Sequence, residues 1–216
     1  RDSLGLVHFE LGEKQTALEF YNRSLELAKK IGYKMGIGIV EHWLGKLYLE
    51  ADISKAKKHF EQARNILSTI NERVYLSETY AFLSNLYGRL HKHDLALASA
   101  TQSIELIKKT PLKDRMVIAL RVMAKALFAT TRETKDARTH PNLAKSINYM
   151  KKTLAFAKKA GTKIQYAATL HGLGEIFMAI GKTEKASKLM QNAEKILKEL
   201  NAISYLEKIK REEGIV

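Results

Sequence analysis

The chain has 216 residues, and its composition excludes several classes of protein before any motif is considered. It contains no Cys, which excludes disulfides and thiolate metal or redox chemistry. Its two prolines leave almost the whole chain free to form helix. No apolar run approaches the ~18 residues that a membrane-spanning helix needs, so we expect no membrane span. Because the absence of Cys also fits a reducing compartment, we predict a cytoplasmic protein.

The formal net charge of +14 is distributed unevenly. Residues 1–110 carry 16 Lys and Arg against 13 Asp and Glu, whereas residues 111–216 carry 21 against 10. The positive field of the C-terminal half favours acidic partners, anionic membrane surfaces or nucleic acid. The alternative is that lysines such as Lys151, Lys152, Lys158 and Lys159 only solvate the outer face of a helix.

A first signature recurs five times along the chain. It is a large apolar residue next to a small one, followed three residues later by a ring or another bulky side chain. The five copies are Leu4-Gly5 with His8, Leu44-Gly45 with Tyr48, Leu83-Ser84 with Tyr87, Met123-Ala124 with Leu127, and Leu173-Gly174 with Phe177. The small residues are 40, 39, 40 and 50 positions apart.

A second signature, small-x₃-bulky-x₂-small, follows each copy of the first. Its five copies are Ala17-Tyr21-Ser24, Ala56-Phe60-Ala63, Ala96-Ala100-Ser103, Ser146-Met150-Thr153 and Ala186-Met190-Ala193. Their starts are 39, 40, 50 and 40 positions apart, so both signatures lengthen by ten residues at the same place. A fixed period of this size predicts a solenoid of stacked helical hairpins.

The predicted units are about 1–32, 33–71, 72–110, 111–161 and 162–201. Within each unit the small residues of the first helix, such as Gly45, let the second helix approach closely, and a bulky residue such as Phe60 fills the gap. The ten additional residues of the fourth unit form a polar stretch near 129–142, which we expect to be an exposed insertion, either tolerated decoration or a contact or regulatory loop. Residues 202–216 are predicted to form a capping helix. Because the chain opens inside its first unit, we expect it to be part of a longer protein.

This pattern resembles the tetratricopeptide repeat family. The residues that carry the resemblance are Leu44-Gly45 with Tyr48, Gly181, and Ala186-Met190-Ala193. The 40-residue period is similar to the long-repeat branch found in Leu-Gly-Asn adaptor proteins, kinesin light chains, and the sensor arms of bacterial regulators and signal-transduction ATPases. The resemblance implies an all-α, right-handed superhelical α-solenoid of five stacked helical hairpins plus a C-terminal capping helix. It also implies a non-enzymatic scaffold that binds extended peptides on a concave face lined by the first helices.

The family's groove positions lie three before, one after and four after the small residue of each unit, and from those of the second to fourth units we select seven residues as the predicted groove. They are His42, Lys46, Leu49, Asn85, Arg121, Lys125 and Phe128. Asn85 can bond a peptide backbone, and Arg121 and Lys125 can form charge-assisted bonds to carboxylates. We therefore expect an acidic peptide, or a free C-terminal carboxylate, to bind there. The alternative is that the polar members are ordinary surface residues.

No pattern of catalytic or metal-ligating residues stands out. The seven His form no His-Glu-x-x-His pair, and no Gly-x-Ser-x-Gly or phosphate-binding Gly-rich motif occurs, so we predict no enzyme, no metal site and no cofactor. Besides peptide binding, two functions stay open. One is a ligand- or partner-sensing arm of a larger transcription regulator or signal-transduction ATPase. The other is nucleic-acid binding by the basic C-terminal half.

Overall fold

The structure, a computed structural model, describes residues 2–132, 136–202 and 205. Within these residues it contains ten α-helices, one short 3-10 helix and no strand. The α-helices are α1 (Asp2–Glu10), α2 (Lys14–Lys30), α3 (Lys34–Tyr48), α4 (Ile53–Thr69), α5 (Arg73–Arg89), α6 (His93–Ile107), α7 (Lys113–Ala129), α8 (Pro141–Ala160), α9 (Lys163–Ala179) and α10 (Thr183–Glu199).

Each odd-numbered helix packs along its full length against the next even-numbered helix, which gives five hairpins. We call the odd-numbered members first helices and the even-numbered members second helices. Neighbouring first helices contact one another, α5 and α7 most extensively, whereas second helices of the described residues make no comparable contact with each other. The array therefore curves towards its first helices, which line the concave side. The prediction of an all-α solenoid of stacked hairpins is confirmed.

The two sequence signatures meet inside the hairpins. The α-carbon of Gly45 faces the ring of Phe60 so closely that a Cβ there would lie 2.6 Å from two ring carbons. Gly5 faces the ring of Tyr21 in the same way, at 2.6 Å. All members of the second signature are buried except Met190, which is partly exposed. The recurring small residues therefore mark the closest approach of the two helices in a hairpin.

In two hairpins a serine occupies one of these small positions and bonds the facing helix. Ser84 Oγ on α5 donates to the carbonyl oxygen of Ala96 on α6, at 2.8 Å. Ser146 Oγ on α8 donates to the carbonyl oxygen of Ala124 on α7, at 2.6 Å. Both hydroxyls are buried and both acceptors belong to the complementary signature, so these bonds fix the two helices in register.

The polar stretch near 129–142 contains the 3-10 helix, Ala137–Thr139. The two ends of this stretch are joined by a hydrogen bond in which Asn142 Nδ2 donates to Thr130 Oγ1 at 2.9 Å. Residues 133–135 lie outside the described residues, as does the predicted capping helix over 202–216 apart from Ala202 and Tyr205. The unit boundaries and the cap stay predictions. In the part of the chain that is described, every helix is too short or too polar to span a bilayer.

Candidate functional site

A lysine surrounded by aromatic rings lies on the concave side, where helices α1, α3 and α5 meet. Trp43 and Lys46 are three residues apart on α3 and share one face of that helix. Lys46 Nζ is 4.3 Å from the centre of the Trp43 ring, 5.1 Å from that of Phe82 on α5, and 5.8 Å from that of Phe9 on α1. All four side chains are partly exposed. We call these four residues the Lys46 site.

The rings fix where this ammonium group lies. The negative face of an aromatic ring attracts a cation within about 6 Å of its centre, by about 0.5–1 kcal/mol at an exposed position. Trp43, Phe82 and Phe9 come from three consecutive hairpins, so the position of the Lys46 charge depends on how those hairpins stack. The site offers a bound molecule one oriented cation bordered by apolar rings.

A buried histidine lies directly beneath the Lys46 site. The His42 side chain is fully buried, and its ring makes edge contacts with Trp43 and Phe82, at 5.4 and 5.6 Å between centres. Thr79 Oγ1 donates its single proton to the carbonyl oxygen of Tyr75, so it can only accept from His42 Nδ1, which lies 2.9 Å away. The proton of the neutral imidazole is therefore on Nδ1, and Nε2 has none.

The unprotonated Nε2 of His42 faces an ion pair. It lies 3.6 Å from Glu78 Oε2 on α5, and the other oxygen of Glu78 pairs with Arg115 on α7. Burial lowers the pKa of His42 well below its usual value, and the cations Lys46 and Arg115 lower it further. Arg115 thus offsets the negative charge of Glu78.

The structure leaves two of the seven predicted groove residues partly exposed, namely Lys46 and Asn85. Asn85 follows Phe82 by three residues on α5, so it lies beside the Lys46 site. His42 is buried as described, Leu49 packs into the core around the second and third hairpins, and Phe128 packs into the core between the fourth and fifth.

Arg121 and Lys125 of α7 are buried between neighbouring first helices. Arg121 is 1% exposed, and its Nη1 donates to Gln165 Oε1 on α9 at 2.7 Å. Gln165 Nε2 in turn donates to the hydroxyl of Tyr205 at 2.8 Å. Lys125 is 8% exposed, and its Cε lies near Gly172 of α9. The accessible members of the predicted groove therefore lie in the second and third hairpins.

Sequence reasoning missed Trp43 and Phe82 as members of the site. The signal was present, because both residues stand two positions before the small residue of their unit, Gly45 and Ser84. Within the described residues, no three His, Asp or Glu side chains come close enough together to hold a metal ion.

Comparison with known proteins supports the repeat assignment. A family model described as Tetratricopeptide repeat matches residues 2–69, which span the first two hairpins, α1 to α4. No curated protein gives a significant match to the chain. The three later hairpins repeat both signatures of the matched region. Residues 2–69 are therefore similar to tetratricopeptide repeats, and the later hairpins continue the same pattern.

Proposed function

We propose that the chain is a protein-binding module that holds an extended acidic peptide against the Lys46 site on its concave side. Tetratricopeptide repeats generally mediate protein–protein interactions and are typically not enzymes, which supports the general part of the proposal. The observation that carries the specific part is the position of Lys46 Nζ between the rings of Phe9, Trp43 and Phe82.

The chemistry of the Lys46 site favours a carboxylate next to an apolar side chain. The ammonium of Lys46 supplies charge-assisted hydrogen bonds to a carboxylate, and the three rings supply apolar contact on either side. Asn85 lies three residues beyond Phe82 and can both donate to and accept from a peptide backbone. A basic peptide would meet the ammonium of Lys46 and be repelled.

Trp43 gives a direct optical test, because it is the single tryptophan of the chain and lies 4.3 Å from Lys46 Nζ. Its fluorescence is followed during titration with pools of acidic, neutral and basic decapeptides, and calorimetry measures the affinities independently. We expect saturable binding of the acidic pool alone. The charge reversal Lys46→Glu should weaken that binding at least ~10-fold, since a hydrogen bond to a charged group is worth about 1.5–3 kcal/mol.

Lys34→Glu is the matched control, because Lys34 lies on the same helix, is exposed and contributes the same charge. It should leave the affinity within about twofold of wild type if only the local cation matters. Equal affinities for Lys46→Glu and wild type, or binding of acidic and basic peptides alike, would refute the proposal.

A further inference from the structure

Helix α8 differs from the other second helices in its charge. Over Pro141–Ala160 it carries five lysines and no acidic residue. By comparison, α2 carries four basic and two acidic residues, α4 four and one, and α10 four and three, while α6 has two acidic residues and no Lys or Arg. Helix α8 therefore carries five of the eleven net positive charges of residues 111–216.

The five lysines share the exposed face of α8. Lys145, Lys152 and Lys159 follow one another at seven-residue intervals, so they form a row along the helix, and Lys151 and Lys158 form a second row beside it. All five are exposed, whereas Leu143, Ser146, Met150, Thr153 and Ala157 of the opposite face are buried. The lysine face points away from the core of the array.

None of these five lysines forms an ion pair with a carboxylate of the described residues. On α10, by contrast, Lys188 pairs with Glu184 at 2.6 Å and Lys198 with Glu194 at 2.7 Å. Among the described residues, the charge of the α8 face is thus not offset by ion pairs, and it attracts anions from solution.

The remaining exposed residues of α8 are small or short, and none is a large apolar side chain. They are Pro141, Ala144, Asn148 and Ala155. A protein partner would need an apolar centre to its interface, and this face has none. A face of lysines separated by small residues suits a partner that binds through its negative charge alone.

We propose that the exposed lysine face of α8 binds the phosphate backbone of a nucleic-acid duplex without sequence preference. From Lys145 to Lys159 the helix rises about 21 Å at ~1.5 Å per residue. One strand of a B-form duplex presents a phosphate every ~3.4 Å along the axis, so about six phosphates fall within that length. Five lysines over the same length match this charge density. The proposal does not depend on the function proposed for the concave side.

The test measures binding of a fluorescent 20-base-pair DNA duplex by anisotropy between ~50 and ~200 mM salt. The triple variant K145Q/K152Q/K159Q should bind more weakly. It should also lower the slope of log affinity against log salt by about 2–3, because each lost phosphate contact removes ~0.9. The conservative triple K145R/K152R/K159R should keep both affinity and slope.

The control triple K29Q/K30Q/K34Q removes the same charge from exposed positions at the junction of α2 and α3. It should leave the slope unchanged, and circular dichroism should show all variants to be folded. Equal losses in the two Gln triples would show that only the overall net charge acts, and the proposal would fail. It would also fail if the duplex did not bind. Binding of polyglutamate or of phosphatidylserine vesicles with the same sensitivity to the α8 substitutions would assign the face to an acidic protein or a membrane instead.

Discussion

Replacing Gly45 by alanine tests whether the hairpins depend on close approach at their small residues. The added Cβ would lie 2.6 Å from both Cδ1 and Cε1 of Phe60, about 1 Å inside ordinary van der Waals contact. Phe60 is fully buried and stacks on Phe82, with ring centres 5.4 Å apart and planes 9° apart. The ring therefore has little room to move away.

The expected size of the effect follows from two opposing contributions. Overpacking a core costs about 1–3 kcal/mol, and the confinement of Phe60 favours the upper part of that range. Alanine in place of glycine inside a helix returns roughly 1 kcal/mol of helix propensity. We therefore expect Gly45→Ala to lower the free energy of unfolding by about 1–2 kcal/mol.

Gly88 provides the matched control, because it also lies in a first helix, α5, yet a Cβ there would meet no atom within 4 Å. Gly88→Ala should raise the free energy of unfolding by up to ~1 kcal/mol from propensity alone. Urea unfolding followed by circular dichroism compares the two variants with wild type. A Gly45→Ala protein at least as stable as the Gly88→Ala protein would show that the reasoning about close approach is wrong.

Three further predictions concern stability. The pKa of His42 is lowered by burial, so the unfolded chain binds the proton more tightly, and stability should decrease as the pH falls below the unfolded value of 6.5, by at most ~1.4 kcal/mol per pH unit. Urea midpoints at several pH values should show this decrease in wild type and a smaller one in His42→Gln. Ser84→Ala removes the bond to the Ala96 carbonyl and should cost about 1 kcal/mol, whereas Ser68→Ala, which loses only an exposed bond within its own helix, should cost less. Gly181→Ala should cost about 1–2 kcal/mol, because its φ of 79° strains any residue with a Cβ; unchanged thermal unfolding would contradict this.

The fold could be predicted from the sequence because its main contacts repeat. Gly45 and Phe60 stand at the same positions of their signatures as Gly5 and Tyr21, and both pairs meet in the structure. The period of about 40 residues therefore indicated which helices pair and which residues lie between them.

The candidate site was harder to predict, because spacing gives the side of a helix on which a residue lies but not how closely the neighbouring helix approaches. Arg121 and Phe128 share the groove-facing stripe of α7 with Lys125, yet contact with neighbouring helices buries them. Lys46 occupies in α3 the position that Lys125 occupies in α7, one residue after the small residue of the unit, yet Lys46 stays accessible. That difference depends on tertiary packing, which no local pattern in the sequence encodes.

The serine bonds inside the third and fourth hairpins bear on how the array deforms. Because Ser84 and Ser146 tie the two helices of a hairpin together through buried hydrogen bonds, sliding one helix along the other would leave their buried hydroxyls without partners. At two junctions, between the second and third hairpins and between the fourth and fifth, neighbouring hairpins share a less extensive contact than the two helices within each of those hairpins. Under load, the array should therefore bend at these two junctions. Bending between the second and third hairpins would widen or narrow the space between α3 and α5 around Lys46, while each hairpin keeps its shape.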